Sequence, residues 1–129
     1  MIRVDNLMIG DWLLDGDSYA QVTSIACGGI IETTASNFAP EEVLQPIPLT
    51  AEILERNFEK YNDNYIFSDD FFCFEIHEYN DGMWMLSYEI NEMSLPNTQI
   101  ANICYVHELQ HLLRLCGLNE LADNFKMEE

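Results

Sequence analysis

The segment His107-Glu108-Leu109-Gln110-His111 has the clearest potential for chemistry in this sequence. Its spacing matches the HExxH motif, in which a helix presents two imidazoles on one face and a glutamate activates a metal-bound water. The motif indicates zinc binding or zinc-dependent hydrolysis. In that case His107 and His111 are the metal ligands and Glu108 is the catalytic residue.

A zinc site of this kind needs a third protein ligand, and the sequence offers few candidates. The extended form of the motif requires glycine at position 114 and histidine at position 117, where this chain has Arg114 and Gly117. His77 completes the site if its strand meets the helix. Glu120 or Asp123 completes it if the turn at Gly117 folds the last helix back.

The alternative interpretation of the segment requires no metal. Around the motif, apolar residues recur at helical spacing on one face, and His107, His111 and Arg114 fall on the opposite face, which we expect to meet solvent. Gly117 is the expected left-handed residue after the helix, and a short final helix begins near Asn119. The apolar face consists of Tyr105, Val106, Leu109, Leu112, Leu113 and Cys116.

Net charge is the most unusual property of the chain. The 129 residues include 23 acidic and 5 basic ones, for a formal charge of -18. Residues 1–64 contain 11 acids and 3 bases, and residues 65–129 contain 12 and 2, so the charge is spread over the whole chain. Such a surface repels phosphate backbones, which excludes nucleic acid as a direct ligand. A basic protein is the expected partner.

Several carboxylates are candidates for contact with that partner. They are Asp69, Asp70, Glu75, Glu78 and Asp81. Other chemistry is not indicated, because the sequence contains no glycine-rich phosphate loop and no nucleophile at a recognisable distance from a base. We therefore expect no catalytic residue and no cofactor outside the zinc alternative.

The cysteines and the hydropathy pattern indicate a cytoplasmic protein. Cys27, Cys73, Cys104 and Cys116 are far apart in the sequence, which favours free, buried thiols in a reducing compartment over disulfides or a zinc ribbon. No apolar stretch approaches the length of a membrane span, and the first residues do not resemble a secretion signal. We expect no membrane association.

Residues 1–49 predict a β-rich module. Short alternating segments are separated by turn residues such as Gly16 and Cys27-Gly28-Gly29, while Pro46 and Pro48 confine the last strand to an edge. This pattern is typical of a small SH3-like barrel or of an open meander.

Residues 50–129 predict a helix, a β-hairpin sheet, a further strand and a C-terminal helix, packed with the first module as one α+β body. Thr50 caps a helix expected over residues 51–61. In the hairpin, alternation pairs residues whose numbers sum to 162, such as Phe74 with Tyr88, and predicts a three-residue loop with Gly82 in the left-handed conformation.

Three segments resemble those of other proteins: RVDNLMIGDWLL, LQPIPLTAEILERN and YVHELQHLLRLCG. In this order they resemble a group of uncharacterised small acidic proteins of gut anaerobes and their phages and mobile elements. The likeness spans most of the chain. Because the group has no assigned activity, the resemblance implies a phage or mobile-element context and no particular chemistry.

Together these observations favour a non-enzymatic function. We expect an acidic protein that binds a basic host protein and imitates nucleic acid, for instance as an inhibitor of a host defence or DNA-handling protein. The first alternative is a zinc-binding protein or zinc-dependent hydrolase that uses His107, Glu108 and His111. The second is a structural or assembly protein, which would form a homo-oligomer.

Overall fold

The structure is a computed structural model that describes residues 6–26, 30–36, 39, 43–68, 72–80, 82–90 and 98–127. In this part of the chain the fold is α+β, with two antiparallel sheets and three short helices. The elements are β1 (Trp12–Asp15), β2 (Ser18–Ala26), β3 (Ile30–Thr33), β4 (Leu44–Gln45), α1 (Ala51–Asn57), β5 (Glu59–Tyr61), β6 (Asn64–Ser68), β7 (Phe72–Asn80), β8 (Met83–Ile90), β9 (Thr98–Ile103), α2 (Val106–Leu115) and α3 (Asn119–Asp123).

The chain divides into two compact units. The first contains Met1–Pro48 and Tyr105–Phe125, and the second contains Leu49–Cys104 and Lys126–Glu129. The boundary after Pro48 lies one residue before the predicted one. The C-terminal helices, predicted to belong to the second unit, belong to the first.

The first unit contains a four-stranded antiparallel sheet in the order β3-β2-β1-β4. Gly16, with φ +65°, takes the first position of the two-residue turn between β1 and β2. Among the described residues these strands do not close into a barrel, and the SH3-like topology stays a prediction. β4 lies at the edge that Pro46 and Pro48 indicated. The core of this unit consists of Leu7, Leu13, Val22, Ile31, Ala39 and Leu44.

Helix α2 is amphipathic, as its spacing predicted. Val106, Leu109 and Leu113 are fully buried. Gly117 has φ +81°, and the Leu118 amide donates a hydrogen bond to the Leu113 carbonyl at 2.9 Å. This pattern is the glycine-terminated helix end expected from the sequence.

The second unit begins with α1, which ends earlier than predicted. Thr50 caps it by accepting a hydrogen bond from the Ile53 amide at 3.4 Å. The predicted end at residue 61 is wrong, because the helix stops at Asn57 and Phe58 is extended, with φ -135°. The Asn57 side-chain amide donates to the carbonyls of Ile53 and Lys126, at 2.8 Å each.

The residues expected to form the last helical turn form strand β5 instead. β5 pairs with β6 across a two-residue turn in which Asn62 and Asp63 have φ +50° and +70°. Tyr61, predicted to belong to the apolar stripe of the helix, is 67% exposed. Asparagine and aspartate tolerate this left-handed turn, which fixes the hairpin.

The remaining strands complete a five-stranded antiparallel sheet in the order β5-β6-β7-β8-β9. The predicted register of β7 and β8 is confirmed, since Phe74 pairs with Tyr88 and Glu78 with Trp84. The predicted three-residue loop is wrong. A bulge between Glu78 and Asn80 shifts the last pair to Asn80 and Met83, so one residue moves from the loop into the strand. Gly82 has the expected positive φ, +76°.

Two further expectations concern the thiols and the membrane. The described cysteines, Cys73, Cys104 and Cys116, are partly buried. Cys27 lies outside the described residues. Within the described ranges, no helix combines the length and apolar character that a membrane crossing requires.

Candidate functional site

The HExxH segment lies in the first two turns of α2, where Glu108 has a structural contact. One carboxylate oxygen of Glu108 accepts a hydrogen bond from the Tyr105 amide at 3.0 Å. A glutamate at this position satisfies an amide that a helix start leaves unpaired and favours the positive end of the helix dipole. The sequence therefore places Glu108 where it stabilises the start of α2.

His111 lies next to a fully buried carboxylate. Its Nε2 is 2.7 Å from Oδ2 of Asp11, a residue with no exposed surface. The same oxygen accepts a hydrogen bond from the Met8 amide at 2.8 Å. The other oxygen accepts one from Arg114 Nη1 at 2.6 Å. Three donors from two parts of the chain thus surround Asp11.

Arg114 connects this carboxylate to the last helix. Its side chain is 9% exposed, and its Nη2 lies 3.2 Å from Oδ1 of Asp123, which is 55% exposed. Arg114 was expected on the solvent side of α2. That expectation is wrong, because Asp11 supplies a buried partner that helical periodicity cannot reveal.

Gln110 is the other polar residue that this face of α2 buries. Its Oε1 accepts a hydrogen bond from the Trp12 amide at 2.8 Å. Its Nε2 donates to the carbonyls of Gly10 and Ala122, each at 2.9 Å. Gln110 therefore ties β1 and α3 to α2 through backbone groups. We call Asp11, Gln110, His111 and Arg114 the Asp11 network.

His107 is buried without a polar partner for one of its nitrogens. The residue is 8% exposed, and its Nδ1 has no hydrogen bond. Its ring stacks on Tyr105, with centroids 6.0 Å apart, and meets His111 edge to face at 5.6 Å. Burial lowers the pKa of His107, and the charge of Asp11 partly opposes the shift. The expectation of a solvent-facing His107 is wrong.

A cavity of about 460 Å³ lies beside these histidines and is lined by Asn6, Leu7, Met8, His107, Glu108 and His111. Among the described residues, no three His, Cys, Asp or Glu side chains form a group that could hold a metal ion. His111 Nε2 contacts Asp11, while Glu108 contacts Tyr105. The zinc hypothesis stays a prediction that this geometry does not favour.

Among the described residues, the remaining candidate ligands do not join His107 and His111 in a group that could hold a metal ion. His77 belongs to the second unit, on β7. Glu120 is exposed on α3, and Asp123 is bound to Arg114. The structure therefore gives no third ligand from these positions within the described part of the first unit.

The predicted partner-binding carboxylates lie only partly within the described residues. Asp69, Asp70 and Asp81 lie outside them. Glu75 pairs with Ser87 and Glu78 with Trp84, and these positions alternate along β7, so the two glutamates occupy opposite faces of the sheet. Glu78 is exposed and Glu75 is partly buried.

Three carboxylates lie near Tyr65 in the second unit. The Tyr65 hydroxyl donates a hydrogen bond to Glu55 at 3.3 Å. Burial raises the pKa of Tyr65, and the charges of Glu55, Asp63 and Glu78 raise it further. These three acids come from α1, the β5–β6 turn and β7, so the fold brings together charges that are distant in sequence. Glu78 is among the carboxylates predicted from the sequence, whereas Tyr65, Glu55 and Asp63 are not, since no local sequence pattern connects them.

Comparison of the chain with protein-family models, with curated proteins and with solved structures gives no match.

Proposed function

We propose that this protein binds a positively charged surface of another protein and competes there with nucleic acid. The supporting observation is where its charge lies. The net charge is -18, and Asp11 is the one buried acidic residue among those described. Arg114 offsets little surface charge, because it is nearly buried and bound to Asp11 and Asp123.

Electrostatics gives such a surface a preferred class of partner. A strongly negative protein attracts basic surfaces at long range, and the attraction weakens as salt is added. Nucleic-acid-binding sites expose the required arginines and lysines, because they neutralise phosphates. We therefore place the partner among host DNA-handling or defence proteins, and the activity is inhibition without chemistry.

Affinity capture with a DNA competition step tests the proposal. The purified protein is immobilised and exposed to lysate of the cell that carries its gene, at about 50 and 500 mM salt. We expect it to retain a basic nucleic-acid-binding protein that short duplex DNA releases at low salt. The isolated partner should lose DNA binding when one equivalent of this protein is added.

Charge-matched variants separate a docking face from diffuse attraction. One variant neutralises Glu52, Glu55 and Glu59 in the second unit. The other neutralises Asp17, Glu32 and Glu120 in the first unit, and all six residues are exposed. If the partner binds one defined face, one variant should lose more affinity for it than the other, although their net charges are equal. Capture that neither DNA nor salt reverses contradicts the proposal.

A further inference from the structure

A cavity of about 400 Å³ in the second unit combines aromatic rings with carboxylates. Tyr65 and Trp84 are among its lining residues, and their rings meet edge to face with centroids 6.1 Å apart. Asp63 and Glu78 line it as well. We call this cavity the Tyr65 pocket. Aromatic faces beside carboxylates form an environment that stabilises a cation.

The chain already places a cation in this pocket. The Nζ of Lys60 lies over the Tyr65 ring, 5.9 Å from its centroid. It is held loosely, because its contact with Glu55 measures 3.7 Å and both side chains are about half exposed, at 49% and 51%. Among the described residues, neither Asp63 nor Glu78 has a salt-bridge partner. The pocket therefore has more negative charge than Lys60 neutralises.

We propose that the Tyr65 pocket receives the guanidinium group of an arginine from the basic partner, with displacement of Lys60. The inference rests on the proposed function and names the contact by which that partner is recognised. A guanidinium fits better than an ammonium, because its planar face stacks on an aromatic ring while its edge donates hydrogen bonds to carboxylates. Tyr65 is 2% exposed, so its ring face becomes available to the guanidinium only when Lys60 leaves. Trp84 is 4% exposed, packs edge to face with Tyr65 and is held by the hydrogen bond from its Nε1 to the Leu49 carbonyl at 2.9 Å.

A small probe tests the pocket without the partner. Nα-acetylarginine amide is titrated into the ¹⁵N-labelled full chain at low salt, and Nα-acetylcitrulline amide serves as the uncharged analogue of the same shape. We expect saturable shifts of the Trp84 indole and Asn64 amide signals, with a dissociation constant near 1 mM. The citrulline compound should bind at least tenfold more weakly. Equal binding of both compounds, or shifts that never saturate, overturns the inference.

Conservative variants with matched controls locate the binding. Asp63→Asn keeps a residue suited to the left-handed turn, and Glu78→Gln keeps the length of the side chain. Each should weaken arginine amide binding at least threefold. Glu52→Gln, which removes an equally exposed charge from the same unit, should change it less than twofold. An equal effect of all three variants means that only the net charge matters and refutes a specific pocket.

Lys60 provides a test in the opposite direction. Lys60→Gln removes the resident cation, and Lys126→Gln makes the same change in net charge at an exposed position of the same unit. We expect the first to strengthen binding about threefold more than the second, and equal effects contradict displacement. If the pocket variants lose the probe but retain the captured partner, the pocket inference fails while the proposed function stands. Absence of any DNA-competed partner defeats the proposed function regardless of the probe.

Discussion

Replacement of Asp11 by alanine should strongly destabilise the first unit. The carboxylate has no exposed surface and accepts hydrogen bonds at 2.6 Å from Arg114 and 2.8 Å from the Met8 amide, with His111 Nε2 at 2.7 Å. Removing Asp11 leaves the nearly buried Arg114 with only its longer contact to the exposed Asp123 carboxylate, at 3.2 Å. Breaking a buried ion pair in this way costs about 3–5 kcal/mol. We expect a loss of that size in the free energy of unfolding.

Asp123 supplies the matched control, because it binds the same arginine from the surface. Its contact with Arg114 is 3.2 Å and its side chain is 55% exposed. An exposed pair of this kind contributes roughly 0.2–1 kcal/mol, so Asp123→Ala should be nearly neutral. The double variant Asp11→Ala/Arg114→Met should be no less stable than Asp11→Ala, since it removes the nearly buried charge that then has only the exposed Asp123 as its partner.

Urea unfolding followed by circular dichroism and tryptophan fluorescence measures these differences. The slope of the free energy against urea concentration should be the same for all variants, which shows that they unfold a similar surface. A loss below 1 kcal/mol for Asp11→Ala, or equal losses for Asp11→Ala and Asp123→Ala, would refute the reasoning. In that case the burial of the carboxylate does not determine how much it contributes to the free energy of unfolding.

Three further predictions concern α2. Gln110→Leu should cost about 1–3 kcal/mol in urea unfolding, since it removes the acceptor of the buried Trp12 amide, while the Gly10 and Ala122 carbonyls keep other donors; a loss well below about 1 kcal/mol contradicts this. Burial lowers the pKa of His107, so the folded protein favours the neutral imidazole. This group therefore contributes stability above pH 6.5, and the contribution is lost as the pH falls below that value. Melting temperatures from pH 8 to 5 should show a smaller fall for His107→Phe than for the wild type. Gly117→Ala should cost about 1–2 kcal/mol, since φ is +81°; a neutral result would show that the turn adapts.

The parts of the fold that sequence predicts well are those with local causes. The register of β7 and β8 follows from alternation, because a shift by one residue would expose Phe74 and Ile76. Thr50 and Gly117 act within one helical turn of their own positions. Each of these signals is complete within a few residues, so the sequence alone contains it.

The parts that sequence misses depend on distant residues. Asp11 makes α2 bury a face that looks suited to solvent, although 100 residues separate it from His111. Asn57 ends α1 partly through Lys126, which is 69 residues away. The Tyr65 pocket requires α1, β5, β6, β7 and β8 to come together. No periodicity in the sequence encodes such long-range contacts.

The discontinuous units have a consequence for synthesis on the ribosome. The first unit needs α2, and Gln110 binds the Trp12 amide across 98 residues. At about 5–20 residues per second, β1 waits roughly 5–20 s for that helix to be made. Until then the nascent chain exposes the apolar face of an unfinished sheet. Residues 1–64 contain 11 acids and 3 bases, and repulsion between neighbouring polysomal chains would keep these intermediates apart. The acidic composition would thus reduce association between chains before α2 completes the first unit.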